Sequence, residues 1–117
     1  MEILNTRVVE ILQKVRAILD KEDSWIKGPD AVDVLGLKIM PTHERAIKWS
    51  LQGALKKASA LDSDIVACKV RKIVEKSLQT CDPCTTVTLF NDWEATTHRD
   101  IVLAIDVSIN NAKFERI

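Results

Sequence analysis

Over residues 2–21 the apolar positions recur at spacings of three and four. Leu4, Val8, Ile11, Leu12, Val15, Ile18 and Leu19 fall on one stripe, and Asn5, Arg7, Glu10, Gln13, Lys14 and Asp20 surround it. That period is the signature of an amphipathic helix, and Glu10 to Lys14 adds a favourable i,i+4 pair. The pattern returns three times. Ile47, Leu51, Ala54, Leu55 and Ala58 predict a second helix after Pro41, and Ile65, Val66, Val70, Ile73, Val74 and Leu78 a third over residues 62–78. Ile101, Ala104, Ile105, Ser108, Ile109 and Ala112 predict a last one. There Val102, Leu103 and Val107 widen the stripe, so this helix is expected to be buried on more than one side.

Capping chemistry sets the expected boundaries. Thr42 is the predicted N-cap of the second helix, with Glu44 in its first turn, and Asp62 or Ser63 caps the third. Thr97 with Asp100 approximates a capping box, although Asp is shorter than the usual Glu or Gln. Gly53 lies inside the second helix beside Ala46 and Ser50, where a glycine costs about 1 kcal/mol relative to alanine. Close approach of another helix or of the preceding connection would compensate. That connection, residues 22–42, is interrupted by Gly28-Pro29, Gly36 and Pro41. Within it, residues 31–39 read as either a short helical turn or a tight hairpin around Gly36. Residues 85–90, rich in Thr, Val and Phe, are expected to be extended. The fold expectation is mostly α: about four helices in one compact domain over residues 1–117, a long connection between the first two, and at most a short extended segment.

Composition narrows the functional classes. At 117 residues and 46% hydrophobic, the chain can build a core without a disulfide or metal. Seventeen basic residues balance seventeen acidic ones, which disfavours non-specific binding to nucleic acid unless the charges are segregated. The longest apolar run, residues 101–105, is far short of the roughly 20 residues of a membrane span. The N-terminus lacks a secretory pattern and three Cys is an odd number, so a reducing cytoplasmic location is expected.

Four groups of residues carry candidate chemistry. Cys81-Asp82-Pro83-Cys84 has the spacing of a redox dithiol or of half a zinc site that His43 and His98 could complete. Asp-Pro is turn chemistry, however, the predicted helix precedes the motif instead of following it, and the two histidines are far apart in sequence. A turn carrying two Cys is therefore the leading reading, and no metal or cofactor is expected. Lys69, Lys72 and Lys76 share a face of the third helix, with Arg71, Lys56 and Lys57 nearby, as a DNA-binding helix would arrange them. A solvated charged face explains them more simply. Trp25, His43, Asn91, Asp92 and Trp93 could line a small polar cleft, against the simpler reading of Trp packing anchors and an Asn-Asp turn. His43 beside Glu44 could act as a base, but no catalytic, phosphate-cradling or dinucleotide motif occurs.

Trp25-x-x-Gly28, the run Ala46-Ile47-Lys48-Trp49-Ser50-Leu51-Gln52-Gly53-Ala54-Leu55, and Phe90-Asn91-Asp92 followed by Thr97 occur in an order that resembles an uncharacterised family of small bacterial and phage proteins. That family shows Trp-Cys-x-x-Gly-Ala and Trp-Asn-Asp blocks. Ser50 here takes the place of the Cys and Phe90 that of the Trp, which implies packing positions, since an unactivated Ser does not replace a nucleophilic Cys. The resemblance implies a prokaryotic or phage cytoplasmic origin and no activity. The leading functional expectation is a non-enzymatic interaction module with a protein partner, as monomer or homodimer, without membrane or nucleic acid. A ligand-binding or enzymatic cleft near Trp25, His43, Asn91 and Asp92 is the alternative, and a weak DNA-binding regulator using the third-helix lysines is the second.

Overall fold

The computed structural model describes residues 2–79 and 85–114, with side chains from residue 6 onward. Cys81 and Cys84, and the side chains of Leu4 and Asn5, lie outside the described residues. In chain order the elements are α1 (Glu2–Ile18), a 3₁₀ turn (Glu22–Ser24), β1 (Ala31–Val32), β2 (Lys48–Trp49), α2 (Leu51–Ala58), α3 (Asp64–Leu78), α4 (Val87–Asp92) and α5 (His98–Phe114). The fold is mostly helical, with four long helices, one short helix and a two-stranded sheet among the described residues.

The first helix sits at the centre, packed on α2, α3 and α5. Its stripe of Val8, Ile11, Leu12 and Val15, with Leu19 just beyond, is fully buried, and each such side chain contributes about 1.5–3 kcal/mol through area removed from water. Leu51, Ala54 and Leu55 of α2, Val70, Ile73 and Val74 of α3, Val87 of α4, and Ile101, Ile105 and Ala112 of α5 complete one core. Two ion pairs fasten α1 at the surface. The Arg7 guanidinium grips Asp62 with Nε to Oδ1 at 2.6 Å and Nη2 to Oδ2 at 2.8 Å, and Arg16 Nε donates to Asp106 at 3.0 Å.

The expected width of some stripes is corrected here. Leu103 and Val107 are exposed, so α5 is buried on one side only, and Ile65 of α3 is exposed as well. The helical period selects the core face correctly, but apolar residues flanking that face need not be covered.

The second helix starts at Leu51 instead of after Pro41. Ser50 is its N-cap, with Oγ accepting from the Gly53 N–H at 3.1 Å, while Thr42, His43 and Glu44 lie in a turn and Ile47 is exposed. Residues 47–49 are extended because they have partners on both sides. Ala31 pairs with Trp49 and Val32 with Lys48 in antiparallel register, and the Ile26 N–H donates to the Trp49 carbonyl at 3.0 Å. The long connection forms a tight hairpin around Gly36: Asp33 N donates to Leu37 O at 3.1 Å, Ile39 N to Ala31 O at 3.1 Å, and Gly36 takes φ +80°. The connection also meets the expectation raised by Gly53. A Cβ at that position would lie 1.8 Å from the Asp30 carbonyl oxygen, so only glycine lets the two backbones touch.

Residues 85–90 are the third correction. Val87 to Phe90 are helical, because the Thr86 Oγ1 caps Leu89 N–H at 3.2 Å and the Glu75 carboxylate accepts the Val87 N–H at 3.2 Å. Two satisfied donors at the helix start outweigh a weak β preference. The capping box on α5 forms as expected: Asp100 N donates to Thr97 Oγ1 at 3.3 Å and Thr97 N donates to Asp100 Oδ2 at 2.9 Å.

Candidate functional site

Trp25, Asn91 and Asp92 are brought together. Asn91 lies in the last turn of α4 and is fully buried. Its Oδ1 accepts from Trp25 Nε1 at 2.7 Å and from the Leu51 N–H at 2.9 Å, and its Nδ2 donates to Ile26 O at 3.2 Å and to Asp92 Oδ1 at 2.9 Å. These four bonds account for the two acceptor sites and two donors of a carboxamide. The Leu51 N–H is one of the amides that a helix start leaves without an internal partner, so Asn91 completes α2 from outside. Asp92 Oδ1 also accepts the Gly28 N–H at 2.8 Å, and Lys27 Nζ donates to the Trp93 and Glu94 carbonyls at 2.6 and 3.1 Å. The cluster therefore ties residues 25–28 to the end of α4 and the start of α2.

The other proposed cleft residues lie apart from this tie or at its margin. Trp93 has an exposed side chain. His43 sits on the exposed turn before Ala46, where its Nδ1 accepts the Arg45 N–H at 3.0 Å, and Trp49 Nε1 holds that turn by donating to Pro41 O at 3.0 Å. His98 packs near Trp25, with ring centroids 6.2 Å apart, and its Nε2 lies 2.6 Å from the Leu19 carbonyl, which requires the proton on that nitrogen. Gln52 Nε2 donates to Gly28 O at 3.3 Å, and its buried Oε1 has no partner among the described residues.

On α3, Lys72 and Lys76 are exposed and Lys69 is half-buried, three and four residues apart on one face. Arg71 beside them reaches Glu75 at 3.7 Å. Among the described residues, no group of three His, Cys, Asp or Glu side chains could hold a metal ion, and no helix is long and apolar enough to cross a membrane.

The most exposed apolar cluster lies elsewhere, on the hairpin. Val34, Leu35, Leu37 and Met40 are 81%, 78%, 61% and 70% exposed within seven positions. The hairpin is nevertheless tightly tied. Asp33 Oδ1 accepts both the Leu35 and Leu37 N–H groups, at 2.9 and 3.0 Å, in addition to the backbone pairing. Beside it, Ile39, Met40 and Pro41 line a hollow of about 530 Å³ together with Asp30, Lys38 and Lys56. Lys56 pairs with Asp30 at 2.6 Å, whereas Lys38 has no carboxylate partner among the described residues. The Lys38 peptide groups face the open edge of the sheet, outside the Asp33 and Ala31 backbone bonds. The reading of residue types did not single out these side chains. Their signal was present as a dense apolar run, residues 34–40, inside a connection with no helical period to explain it.

A family model described as a family of unknown function, DUF6197, matches residues 4–111. No curated protein and no solved structure matches the chain.

Proposed function

Because the chain belongs to this family of unknown function, DUF6197, and the family description assigns no activity, we propose a role from the surface the fold presents: a small non-enzymatic interaction module that engages a protein partner through the hairpin around Gly36. The observation that carries this reading is the display of Val34, Leu35, Leu37 and Met40 to solvent on a hairpin held by Asp33. Contiguous exposed apolar side chains rimmed by polar residues mark interaction sites, and an ordered loop loses little entropy when it docks. The edge at Lys38 suits an extended partner segment, which would pair with its free peptide groups and place an apolar side chain against Met40. The order of sequence blocks supports a bacterial or phage cytoplasmic setting.

The cleft reading is weaker, because the carboxamide at its centre already makes four bonds within the protein. Photo-crosslinking in the native host from position 35, with position 88 as an exposed control away from the hairpin, tests the proposal. A discrete product from position 35 alone, reduced by Leu37→Ser, is expected. Equal products from both positions, or none from either, would overturn the proposal.

A further inference from the structure

A second surface, independent of the hairpin, lies between α1 and the junction of α2 and α3. Ala17, Ile18 and Ala58 form the apolar floor of a hollow of about 360 Å³ whose lining also includes Leu61, at the lower end of the roughly 300–1,000 Å³ typical of small-molecule sites. Leu61 is fully exposed, so its side chain covers nothing in the protein. Three cations border the floor: Arg7, Lys14 and Lys57.

The local acids are already engaged. Asp62 gives both oxygens to Arg7, at 2.6 and 2.8 Å, and Glu10 accepts from the same guanidinium at 2.9 Å. Lys14 lies within the field of Asp62 but forms no ion pair among the described residues. The Lys57 ammonium sits 5.0 Å from the centroid of the Trp49 ring, a contact that positions the charge without neutralising it. Lys14 and Lys57 thus both belong to the lining of an apolar hollow that contains no carboxylate.

We propose that this hollow binds a small organic carboxylate with a short apolar tail. The carboxylate lies between Lys14 and Lys57, and the tail covers Ile18, Ala58 and Leu61. Charge complementarity fixes the sign of the ligand, and the volume limits its size.

Titration of the isotope-labelled protein with heptanoate, followed by amide chemical shifts, tests this, with heptylammonium as the matched cation. Saturable shifts at Ile18, Ala58 and Leu61 in the millimolar range are expected with heptanoate and not with heptylammonium. Lys14→Gln and Lys57→Gln should each weaken binding about two- to five-fold, the effect of one solvent-facing charge pair. Leu61→Asp, at a position that supports no packing, should abolish saturation while leaving the remaining spectrum unchanged. Equal shifts with heptylammonium, shifts confined to other regions, or unchanged heptanoate affinity in the double lysine variant would overturn the proposal.

Discussion

Replacing Asn91 by Ala should cost the protein a large part of its stability. The substitution removes a fully buried carboxamide that accepts from Trp25 Nε1 and Leu51 N and donates to Ile26 O. The Leu51 amide, left without a partner in the interior, costs about 1–3 kcal/mol, and the indole and the Ile26 carbonyl add about 1 kcal/mol each. The sum is about 3–5 kcal/mol, against a total of about 5–15 kcal/mol for a domain of this size. Urea unfolding followed by tryptophan fluorescence measures it, and with a slope near 2 kcal/mol/M the midpoint should fall by about 1.5–2.5 M. Asn91→Asp separates the two halves of the argument. It keeps both acceptor contacts, loses both donations, and sets a second carboxylate against Asp92 Oδ1, now 2.9 Å away. Its stability should therefore be poor at neutral pH and partly recovered when the carboxyl is protonated. Trp93→Ala, at an exposed neighbour, should change stability by no more than about 0.5 kcal/mol. An Asn91→Ala loss below about 1 kcal/mol would refute the claim that this residue holds the connection to the helices.

Two further outcomes follow from particular contacts. Gly53→Ala should destabilise by about 1–3 kcal/mol in thermal or urea unfolding despite its better helix propensity, because the new methyl meets the Asp30 backbone at 1.8 Å and backbone cannot step aside as a side chain can; a stabilised variant would contradict this. The hydrogen bonds from Arg7 hold the Asp62 carboxyl below the usual aspartate range, so the unfolded chain takes up this proton first on acidification. The contribution of the pair is fully present above about pH 4 and is lost as pH falls through the lower folded value, and Asp62→Asn should flatten the acid limb of a stability-pH curve.

Much of this fold was legible in local chemistry. The Thr97 and Asp100 pair, the Ser63 cap and the stripe from Val8 to Leu19 each act within a turn or two of helix, where residue spacing determines the contact. Gly53 was legible for a different reason: a glycine in a helix interior signals an approaching backbone, although not which one. The start of α2 was misplaced because Thr42 and Ser50 are both adequate caps. The choice between them is made by the pairing of residues 47–49 with strands from residues 25–26 and 31–32, a non-local interaction that no window of sequence contains. Residues 85–90 combine both cases: the Thr86 cap on Leu89 is local, but the Glu75 carboxylate that accepts the Val87 N–H comes from α3, outside the run. Asn91 and Asp92 were marked as notable by residue type, but their role depends on groups 40 to 66 positions away. Exposure is the least legible property. Leu35, Leu61 and Leu103 have the composition of core residues, and only the packed structure shows that nothing covers them.

We propose a division of labour: the Asn91 tie maintains the fold, and the apolar hairpin beyond it is the surface offered to a partner. The most direct measurement compares crosslinking from position 35 and the urea midpoint with and without the double substitution Val34→Ser/Leu37→Ser, at two exposed side chains that leave the probe in place. The account predicts an unchanged midpoint, because both side chains are already in water, together with loss of the crosslinked product. A lowered midpoint, or crosslinking that survives the double substitution in a folded protein, would contradict it.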